Sequence, residues 1–497
     1  MLRQSTLDQL SQIVGPGNLL TTREDLAAYA YDATPRMGRL PDAVVKPGTT
    51  EEVSRILQMA NREGFKVVPR GAGTNLSGGT VPIQGGVVMQ LTRLNRVLEV
   101  DTENLTALVE PGVITSDLHA TVEAIGLFYP PDPGSMTVST MGGNVAENAG
   151  GLRGLKYGVT KDYVIGMEVV LPTGEVITTG GKTVKNVTGY DLTKLMVGSE
   201  GTLGVITKIL VRLIPKPEAK KTMLVFYRSL DDAAQTVSAI IANRVIPPTL
   251  EFLDNVTIRC VEQYIHAGLP LDMEAMLLIE VDGSRSVVEE DSSKVLQVCR
   301  EHHAAEIQVA ETAEDSLRLA TGRRAALPAL ARIKPTMVLE DATVPRSQVA
   351  AMVRKIQGIA EKYDLLIGTF GHAGDGNLHP TILCDERDTE LMERVDEAVD
   401  EMFRAALELG GTLSGEHGIG LAKAPYMPLE LKDAGMKAMI AIKKALDPNN
   451  ILNPGKMYID QYAGWQPTGN GHGDAPPSST HHSSPITHDS PVATEAR

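Results

Sequence analysis

The distribution of apolar residues divides the chain into two halves with different patterns. In the segment 51–63, apolar residues recur at positions i, i+3, i+4 and i+7, which predicts an amphipathic helix that ends at Gly64. The stretch from about 40 to 215 otherwise contains short apolar runs bounded by glycine and proline, which predict strands joined by long glycine-rich connections. Within it, VIGMEVVLPTGEVITTG predicts a hairpin around a Pro-Thr-Gly turn.

The pattern changes after a linker at 214–221 that contains proline and lysine. Beyond it, strand-like apolar runs alternate with helical patterns near 230–243, 254–267, 285–302, 346–363 and 387–409. This alternation predicts an α+β unit in which the helices pack on one face of a sheet. From about Gln466 onward the residues are mostly Pro, Ser, Thr, His and Gly, which predicts a disordered tail rather than a histidine metal tract.

Composition narrows the class of protein. The chain has 497 residues, of which 42% are hydrophobic, and this is typical of a globular chain with several domains. Its net charge of −15 argues against general binding to nucleic acid or to anionic lipid. The sequence contains neither a signal peptide nor an apolar run of the ~18–20 residues that a membrane-spanning helix requires. Cys260, Cys299 and Cys384 lie far apart, so we expect no disulfide framework, no iron–sulfur cluster and a reducing, cytoplasmic compartment.

Three glycine clusters, at 69–79, 130–158 and 186–207, mark the first half of the chain. Successive glycines let backbone N–H groups turn toward a single anion. Gly71 and Gly73 in the first cluster are not followed by a long amphipathic helix, which disfavours a Rossmann dinucleotide site. Each cluster alone is compatible with a simple turn, but together they predict one large, flat, phosphate-bearing ligand held mainly by backbone.

The second half carries a group of ionisable residues in two glycine-rich segments. GTFGHAGDGNLHP contains His372 and His379, and GTLSGEHGIG contains Glu416 and His417. Two imidazoles and a carboxylate form a ligand set suited to Zn²⁺, Mn²⁺ or Fe²⁺ that leaves a position for substrate. The flanking glycines allow the two segments to approach one another closely.

These motifs resemble those of a known family. PRGAGTNLSGG, GGNVAENAGG and VGSEGTLGVIT resemble the FAD domain of the vanillyl-alcohol-oxidase-like flavoproteins, in the branch that contains the catalytic subunit of glycolate oxidase, D-lactate dehydrogenase and D-2-hydroxyglutarate dehydrogenase. The resemblance runs from about residue 20 to residue 456. It implies an α+β fold: a PCMH-type FAD-binding domain of two α+β subdomains and a C-terminal, ferredoxin-like α+β cap domain. The expected parts are a helical segment at 1–36, the FAD domain at 37–216, the cap with the metal site at 217–457 and the tail at 458–497.

The resemblance also implies which residues contact FAD. Some relatives attach FAD covalently through a histidine in these loops, but no histidine lies between His119 and His266, so we expect FAD to be bound non-covalently. The residues expected at the cofactor are Arg70, Gly71, Ala72, Gly73, Thr74, Asn75, Gly78, Pro131, Asp132, Ser135, Gly142, Gly143, Asn144, Asn148, Gly150, Gly151, Gly204, Val205 and Ile206.

In the second half, GHAGDGNLHP and SGEHGIG resemble the metal-binding motifs of the D-2-hydroxy-acid dehydrogenases. Carried over by position, the metal ligands become His372, His379 and Glu416, and the general base becomes His417. The substrate carboxylate is expected to bind Arg323, with Arg324 as the alternative. Leu339 stands where D-2-hydroxyglutarate dehydrogenases carry a lysine for a second carboxylate, and this departure favours glycolate or D-lactate.

The function that the resemblance implies is FAD-dependent oxidation of a small D-2-hydroxy acid to the 2-oxo acid, with hydride transfer to flavin N5. The electrons then leave to a quinone, a cytochrome or a partner subunit. We therefore expect a homo- or hetero-oligomer, with the FAD-like and iron–sulfur subunits of a glycolate oxidase complex as candidate partners, either in the cytoplasm or bound peripherally at the inner face of the cell membrane. Alternatives are a stand-alone, cytochrome-type D-lactate dehydrogenase, a non-redox metal-dependent hydrolase and a catalytically silent flavin-binding scaffold.

Overall fold

The computed structural model of the chain describes residues 2–460 and 462. The first region contains α1 (Gln4–Val14), β1 (Leu19–Leu20), α2 (Arg23–Ala27), β2 (Ala43–Val45), α3 (Thr50–Glu63), β3 (Val67–Arg70) and β4 (Val87–Gln90). Its sheet has the order β1-β2-β4-β3, in which β2, β4 and β3 run parallel and β1 is antiparallel. The predicted helix is confirmed as α3: Thr49 caps its start by accepting the N–H of Glu52, and Gly64 ends it in the left-handed conformation.

The second region forms an antiparallel sheet of order β5-β6-β10-β8-β9. Its elements are β5 (Val97–Asp101), β6 (Thr106–Val109), α4 (Thr115–Glu123), β7 (Leu127–Phe128), α5 (Met141–Glu147), α6 (Gly154–Tyr157), α7 (Thr160–Tyr163), β8 (Val164–Val170), β9 (Val176–Gly180), α8 (Leu192–Met196), β10 (Val205–Arg212) and β11 (Ile214–Pro215). The predicted hairpin is confirmed as β8 and β9, while the glycine-rich segment 130–158 contains the short helices α5 and α6 between its loops.

The third region is built on an eight-stranded sheet, of order β15-β12-β14-β13-β18-β19-β16 with β17 also paired to β19. Its elements are β12 (Ala219–Tyr227), α9 (Leu230–Ala242), β13 (Thr249–Asp254), α10 (Asn255–Ile265), β14 (Ala275–Gly283), α11 (Arg285–Glu301), β15 (Glu306–Val309), α12 (Ala313–Arg324), α13 (Ala326–Leu330), β16 (Thr336–Leu339), β17 (Ala342–Thr343), α14 (Val349–Tyr363), β18 (Leu366–His372), β19 (Asn377–Cys384), α15 (Thr389–Glu408) and α16 (Met427–Leu446). The five helices predicted in this half are present as α9, α10, α11, α14 and α15.

The prediction that helices cover one face of this sheet is wrong. Helices α9, α11, α14 and α15 pack on one face, in the core that contains Val225 and Tyr227. Helices α10, α12 and α13 pack on the opposite face, in the core that contains Leu224 and Phe226. Strand β12 is apolar at successive positions over its second half, so both of its faces must be removed from water.

The C-terminal end of the described chain returns to the first region. Leu452 forms a parallel bridge with Val67 at the edge of the first sheet, and the buried Lys456 ammonium donates to the Val81 carbonyl over 2.8 Å. Ile459 and Tyr462 are buried in a small cluster with residues of α16, so packing continues a few residues beyond the predicted start of the tail at 458. The rest of the predicted tail lies outside the described residues. Within the described part of the chain, no helix is both long and apolar enough to cross a bilayer.

Candidate active site

One cavity of about 830 Å³ is lined by residues from both halves of the chain. It is bordered on one side by the glycine-rich loops and on the other by the last turn of α12 and the ends of β16 and β18. The predicted cofactor residues that line it are Arg70, Gly71, Ala72, Gly73, Thr74, Asn75, Asp132, Ser135, Gly142, Gly143, Asn144, Gly150, Gly204, Val205 and Ile206. Arg323, His372, His379, Glu416 and His417 line the same cavity. The two groups of residues that the sequence pointed to are therefore brought together.

Four predicted cofactor residues do not belong to this lining. Gly78 donates its N–H to Thr34, and the Pro131 carbonyl lies 2.9 Å from a ring nitrogen of His119. Asn148 accepts the N–H of Lys161. Gly151 packs against the Asp132 carbonyl so closely that no side chain would fit.

The loop 70–75 has the character of an anion site. In the described part of the chain, none of the five backbone N–H groups of residues 71–75 has a hydrogen-bond acceptor. Gly71 approaches Thr140 so closely that a Cβ would overlap its hydroxyl oxygen, which caps α5 by accepting the Gly143 N–H at 3.2 Å. Unpaired amides beside a cavity, held close to a helix start, are what a phosphate-bearing ligand requires.

His372, His379 and Glu416 form a compact group of metal-ligating type. The antiparallel pairing of β18 with β19 places the two imidazoles side by side, with ring centroids 5.2 Å apart. The Nε2 atom of each ring lies 3.3 Å from Glu416 Oε1. Because one nitrogen of each ring and a carboxylate oxygen converge within 4.8 Å, the donor set fits a divalent cation.

In this group, neighbouring charges shift the pKa values of His372 and Glu416 against the effect of burial. Burial lowers the pKa of His372, but Glu251 and Glu416 outweigh it and hold that pKa well above its ordinary value. Burial raises the pKa of Glu416, but His372 and His379 outweigh it and hold that pKa well below its ordinary value. The carboxylate is therefore ionised and able to ligate, and a cation that bound there would replace the proton on His372.

His417 lies beside the group. Its ring stacks on that of His379, with centroids 5.0 Å apart and planes 9° from parallel. Burial lowers the pKa of His417 to about 4, against the opposing charge of Asp341, so the imidazole is neutral near pH 7.

Asp341 holds the loop that carries Glu416 and His417, and sequence reasoning missed it. It is fully buried, and its Oδ2 accepts the N–H groups of Gly415, Glu416 and His417 at 2.9–3.0 Å. Ser414 donates to the same oxygen at 2.6 Å. The only sequence signal was a pair of acidic residues directly after a strand, which is common on protein surfaces.

Arg323 and Glu251 complete the polar wall of the cavity. Arg323 Nε donates to Glu251 Oε2 over 2.7 Å, and its guanidinium carbon lies 4.7 Å from the centre of the Phe370 ring. Glu251 Oε1 lies 2.7 Å from His372 Nδ1. Sequence reasoning also missed Glu251, although an acidic residue at the centre of the apolar strand TLEFLD was a usable signal. Arg324, the alternative clamp, is exposed although it also borders the cavity.

Comparisons with known proteins identify the family to which the chain is similar. Residues 41–180 match the family described as FAD binding domain, and residues 216–457 match the family described as FAD linked oxidases, C-terminal domain. The chain is 56% identical to the glycolate oxidase subunit GlcD of Bacillus subtilis, over 92% of this chain and 97% of that protein. It is 37% identical to a D-lactate dehydrogenase of Anaerostipes hadrus, over 89% of this chain and 95% of that protein.

A solved structure of p-cresol methylhydroxylase superposes on this chain with a TM-score of 0.77. The two are 20% identical, and the superposition covers 92% of this chain and 97% of that one. This likeness confirms the predicted fold class, in which a PCMH-type FAD-binding fold is joined to a C-terminal α+β domain.

Proposed function

Because the chain belongs to the family of FAD-linked oxidases, we propose that it oxidises a small D-2-hydroxy acid, glycolate or D-lactate, to the corresponding 2-oxo acid. The observation that carries this proposal is the meeting of Arg323, His417 and the His–His–Glu group at the cavity bordered by the glycine-rich loops. Such a reaction needs a cation for the substrate carboxylate, a general base and a metal site, and these three groups would supply them from the cavity wall.

FAD fits the N-terminal side of the cavity. The amides of 71–75 are suited to its pyrophosphate, and the lining glycines allow the backbone to approach a flat ring. Bound there, FAD supplies an acceptor for the hydride that leaves the substrate carbon. The chain offers no histidine in these loops for covalent attachment, so we propose non-covalent binding.

A divalent zinc, manganese or iron ion fits His372, His379 and Glu416. Such an ion supplies a Lewis acid that lowers the pKa of a substrate hydroxyl. The residues contribute two imidazole nitrogens and one carboxylate, which leaves coordination positions open. His417, neutral and adjacent, accepts the hydroxyl proton as the general base.

We propose that Arg323 binds the substrate carboxylate. Its Nε is taken by Glu251, which leaves the two terminal N–H₂ groups as a fork for a carboxylate. The neighbouring cavity wall is apolar, formed by Leu327, Leu339 and Phe370. A second substrate carboxylate packed against these three side chains would have no charged partner in them, so we propose a monocarboxylate with a short tail.

Electrons must leave the chain after each turnover. Its three cysteines are buried and far apart, so they hold no iron–sulfur cluster. We propose that an iron–sulfur subunit, together with an FAD-like subunit, receives the electrons at the inner face of the membrane, as the name of the Bacillus subtilis relative implies a complex.

The purified protein tests the function directly. We expect a yellow protein with absorbance near about 450 nm that glycolate or D-lactate bleaches without oxygen, and that D-2-hydroxyglutarate bleaches far more slowly. A colourless protein unable to take up FAD would instead favour the metal-dependent hydrolase, and a yellow protein that no 2-hydroxy acid bleaches would favour the scaffold.

Removal of the metal tests the second half of the site. We expect a chelator to stop bleaching while the yellow colour stays, because the His–His–Glu group lies on the C-terminal side of the cavity, apart from the glycine-rich loops. Readdition of Zn²⁺ or Mn²⁺ should restore bleaching. Full activity in metal-free protein would remove the ion from the mechanism.

A further inference from the structure

Glu251 is a fully buried carboxylate on β13. Its strand neighbours Leu250 and Phe252 point into the apolar core on the other face of the sheet, so Glu251 points to the face that carries the cavity. An ionised carboxylate is costly to bury unless each oxygen has a partner. Each oxygen of Glu251 has one partner: His372 contacts Oε1, and Arg323 contacts Oε2.

The first partner is a residue of the metal-binding type. Glu251 Oε1 lies 2.7 Å from His372 Nδ1, and an ionised carboxylate can only accept, so Nδ1 carries the proton. The other nitrogen, Nε2, is thereby the one turned toward Glu416, at 3.3 Å. Glu251 thus sets which nitrogen of His372 is free for a cation.

The second partner is the arginine of the carboxylate site. Glu251 Oε2 accepts from Arg323 Nε at 2.7 Å, while the Phe370 ring covers one face of the guanidinium. These two contacts fix the plane of the guanidinium, and its terminal N–H₂ groups have no hydrogen-bond acceptor among the described residues. Among the described residues, Glu251 is the only acceptor of a hydrogen bond from Arg323.

We propose that Glu251 is a positioning residue that couples cation binding at His372 to carboxylate binding at Arg323. The Glu251 carboxylate contacts both His372 and Arg323. A ligand that fixes His372 or Arg323 therefore also fixes this carboxylate, and the carboxylate in turn fixes the second of the two residues. Binding of a cation and binding of a carboxylate therefore strengthen each other by the same factor, as thermodynamic linkage requires. The inference rests on the proposed function, in which both ligands meet in this cavity.

The test measures Mn²⁺ affinity of metal-free, FAD-loaded protein by competition with a chelator, with and without saturating acetate. Acetate carries the carboxylate but lacks the hydroxyl that would reach the cation. In the native protein we expect acetate to tighten Mn²⁺ binding by about fivefold or more. Equal Mn²⁺ affinity with and without acetate in the native protein would overturn the proposal.

Glu251→Gln has the same shape but only one accepting oxygen, so it can satisfy one partner as an acceptor and not both. We expect its Mn²⁺ affinity to fall by about 10–100-fold and the effect of acetate on that affinity to disappear. Native Mn²⁺ affinity, or an undiminished acetate effect, would contradict the coupling. Glu280→Gln on the neighbouring strand β14, where Glu280 contacts Lys220 and Thr222, is the matched control and should behave as the native protein does.

Arg323→Lys tests the other end of the coupling, independently of whether the Glu251 variant retains FAD. Lysine keeps a positive charge for Glu251 but lacks the planar fork. We expect Mn²⁺ affinity to change little while the acetate effect is lost, and an unchanged acetate effect would overturn the proposal. None of these measurements needs turnover. A failure of the proposed function would be recognised separately, because neither glycolate nor D-lactate would then bleach the flavin of the native protein.

Discussion

The two sides of the cavity are built by different chemistry. On the N-terminal side, the loop 70–75 and the lining glycines present backbone to the cavity, although the ionisable residues Arg70, Asp132, Glu147, Arg153 and Glu200 also belong to the lining. On the C-terminal side, His372, Glu416 and their neighbours are ionisable side chains held in place by other buried ionisable side chains. The N-terminal side offers a ligand backbone groups at close range, whereas the C-terminal side offers charged side chains with defined proton positions.

This difference predicts how each side fails. A backbone site is damaged by added bulk, because a Cβ occupies the space that the ligand or a neighbouring segment needs. A site of buried charges is damaged by loss of one partner, because the remaining charge is left without compensation. Glu251 and Asp341 are both fully buried, so each depends on its own set of donors.

The largest effect is expected on the C-terminal side, from His417→Ala. Loss of the proposed general base should slow bleaching of the flavin by D-lactate or glycolate by about 10²–10⁴-fold. FAD content, read from the yellow colour, should stay at the native level because the glycine-rich loops are untouched. His302→Ala, at the end of α11, is the control for loss of an imidazole. Bleaching of His417→Ala at a near-native rate would remove this residue from its role.

An intermediate effect is expected from Glu340, a partly buried acid beside Asp341. Burial raises the pKa of Glu340 from an ordinary value of 4.5 to about 7, and this effect outweighs the positive charge of Lys423, which lowers that pKa. The folded protein therefore holds a proton that the unfolded chain releases, and Glu340 contributes stability below about pH 4.5 that is lost as pH rises toward 7.

Glu340→Gln mimics the protonated acid at every pH. Its advantage in free energy of unfolding over the native protein should grow by about 2 kcal/mol between pH 5 and pH 8. Urea unfolding of the two proteins at both pH values measures this difference. The exposed Glu386→Gln is the control and should show no such growth. An advantage that shrinks as pH rises would show that Glu340 is ionised in the fold.

The smallest effect is expected on the N-terminal side, from Gly71→Ala. The added Cβ overlaps the Thr140 hydroxyl and displaces the cap of α5, which costs about 1 kcal/mol and weakens FAD binding roughly fivefold. Titration of the FAD-free protein with FAD measures the change. Adding Thr140→Ala should relieve the overlap, because the nearest remaining Thr140 atom lies 3.5 Å from the new Cβ. Gly17→Ala, with no atom within 4 Å, should bind FAD as the native protein does.

In the C-terminal half, the helices were predictable from the sequence, but their arrangement around the sheet was not. Its helices were predictable from local periodicity, because each one carries its own apolar stripe. That they cover both faces of the sheet was not predicted, because the two cores divide the alternate residues of single strands. Likewise, nothing near Glu251 in the sequence indicates its partners, since Arg323 is 72 residues away and His372 is 121 residues away.

The amino-acid sequence by itself determined the local elements, the glycine-rich loops and the residue types of the candidate site, because spacing and side-chain chemistry are local properties. Only the tertiary structure decided that loop 70–75 and His372 share one cavity, that Glu251 joins His372 to Arg323, and that Asp341 holds the loop of His417. The physical reason is that these contacts join segments far apart in the chain. A buried charge acquires its partners only when the sheets have assembled around it.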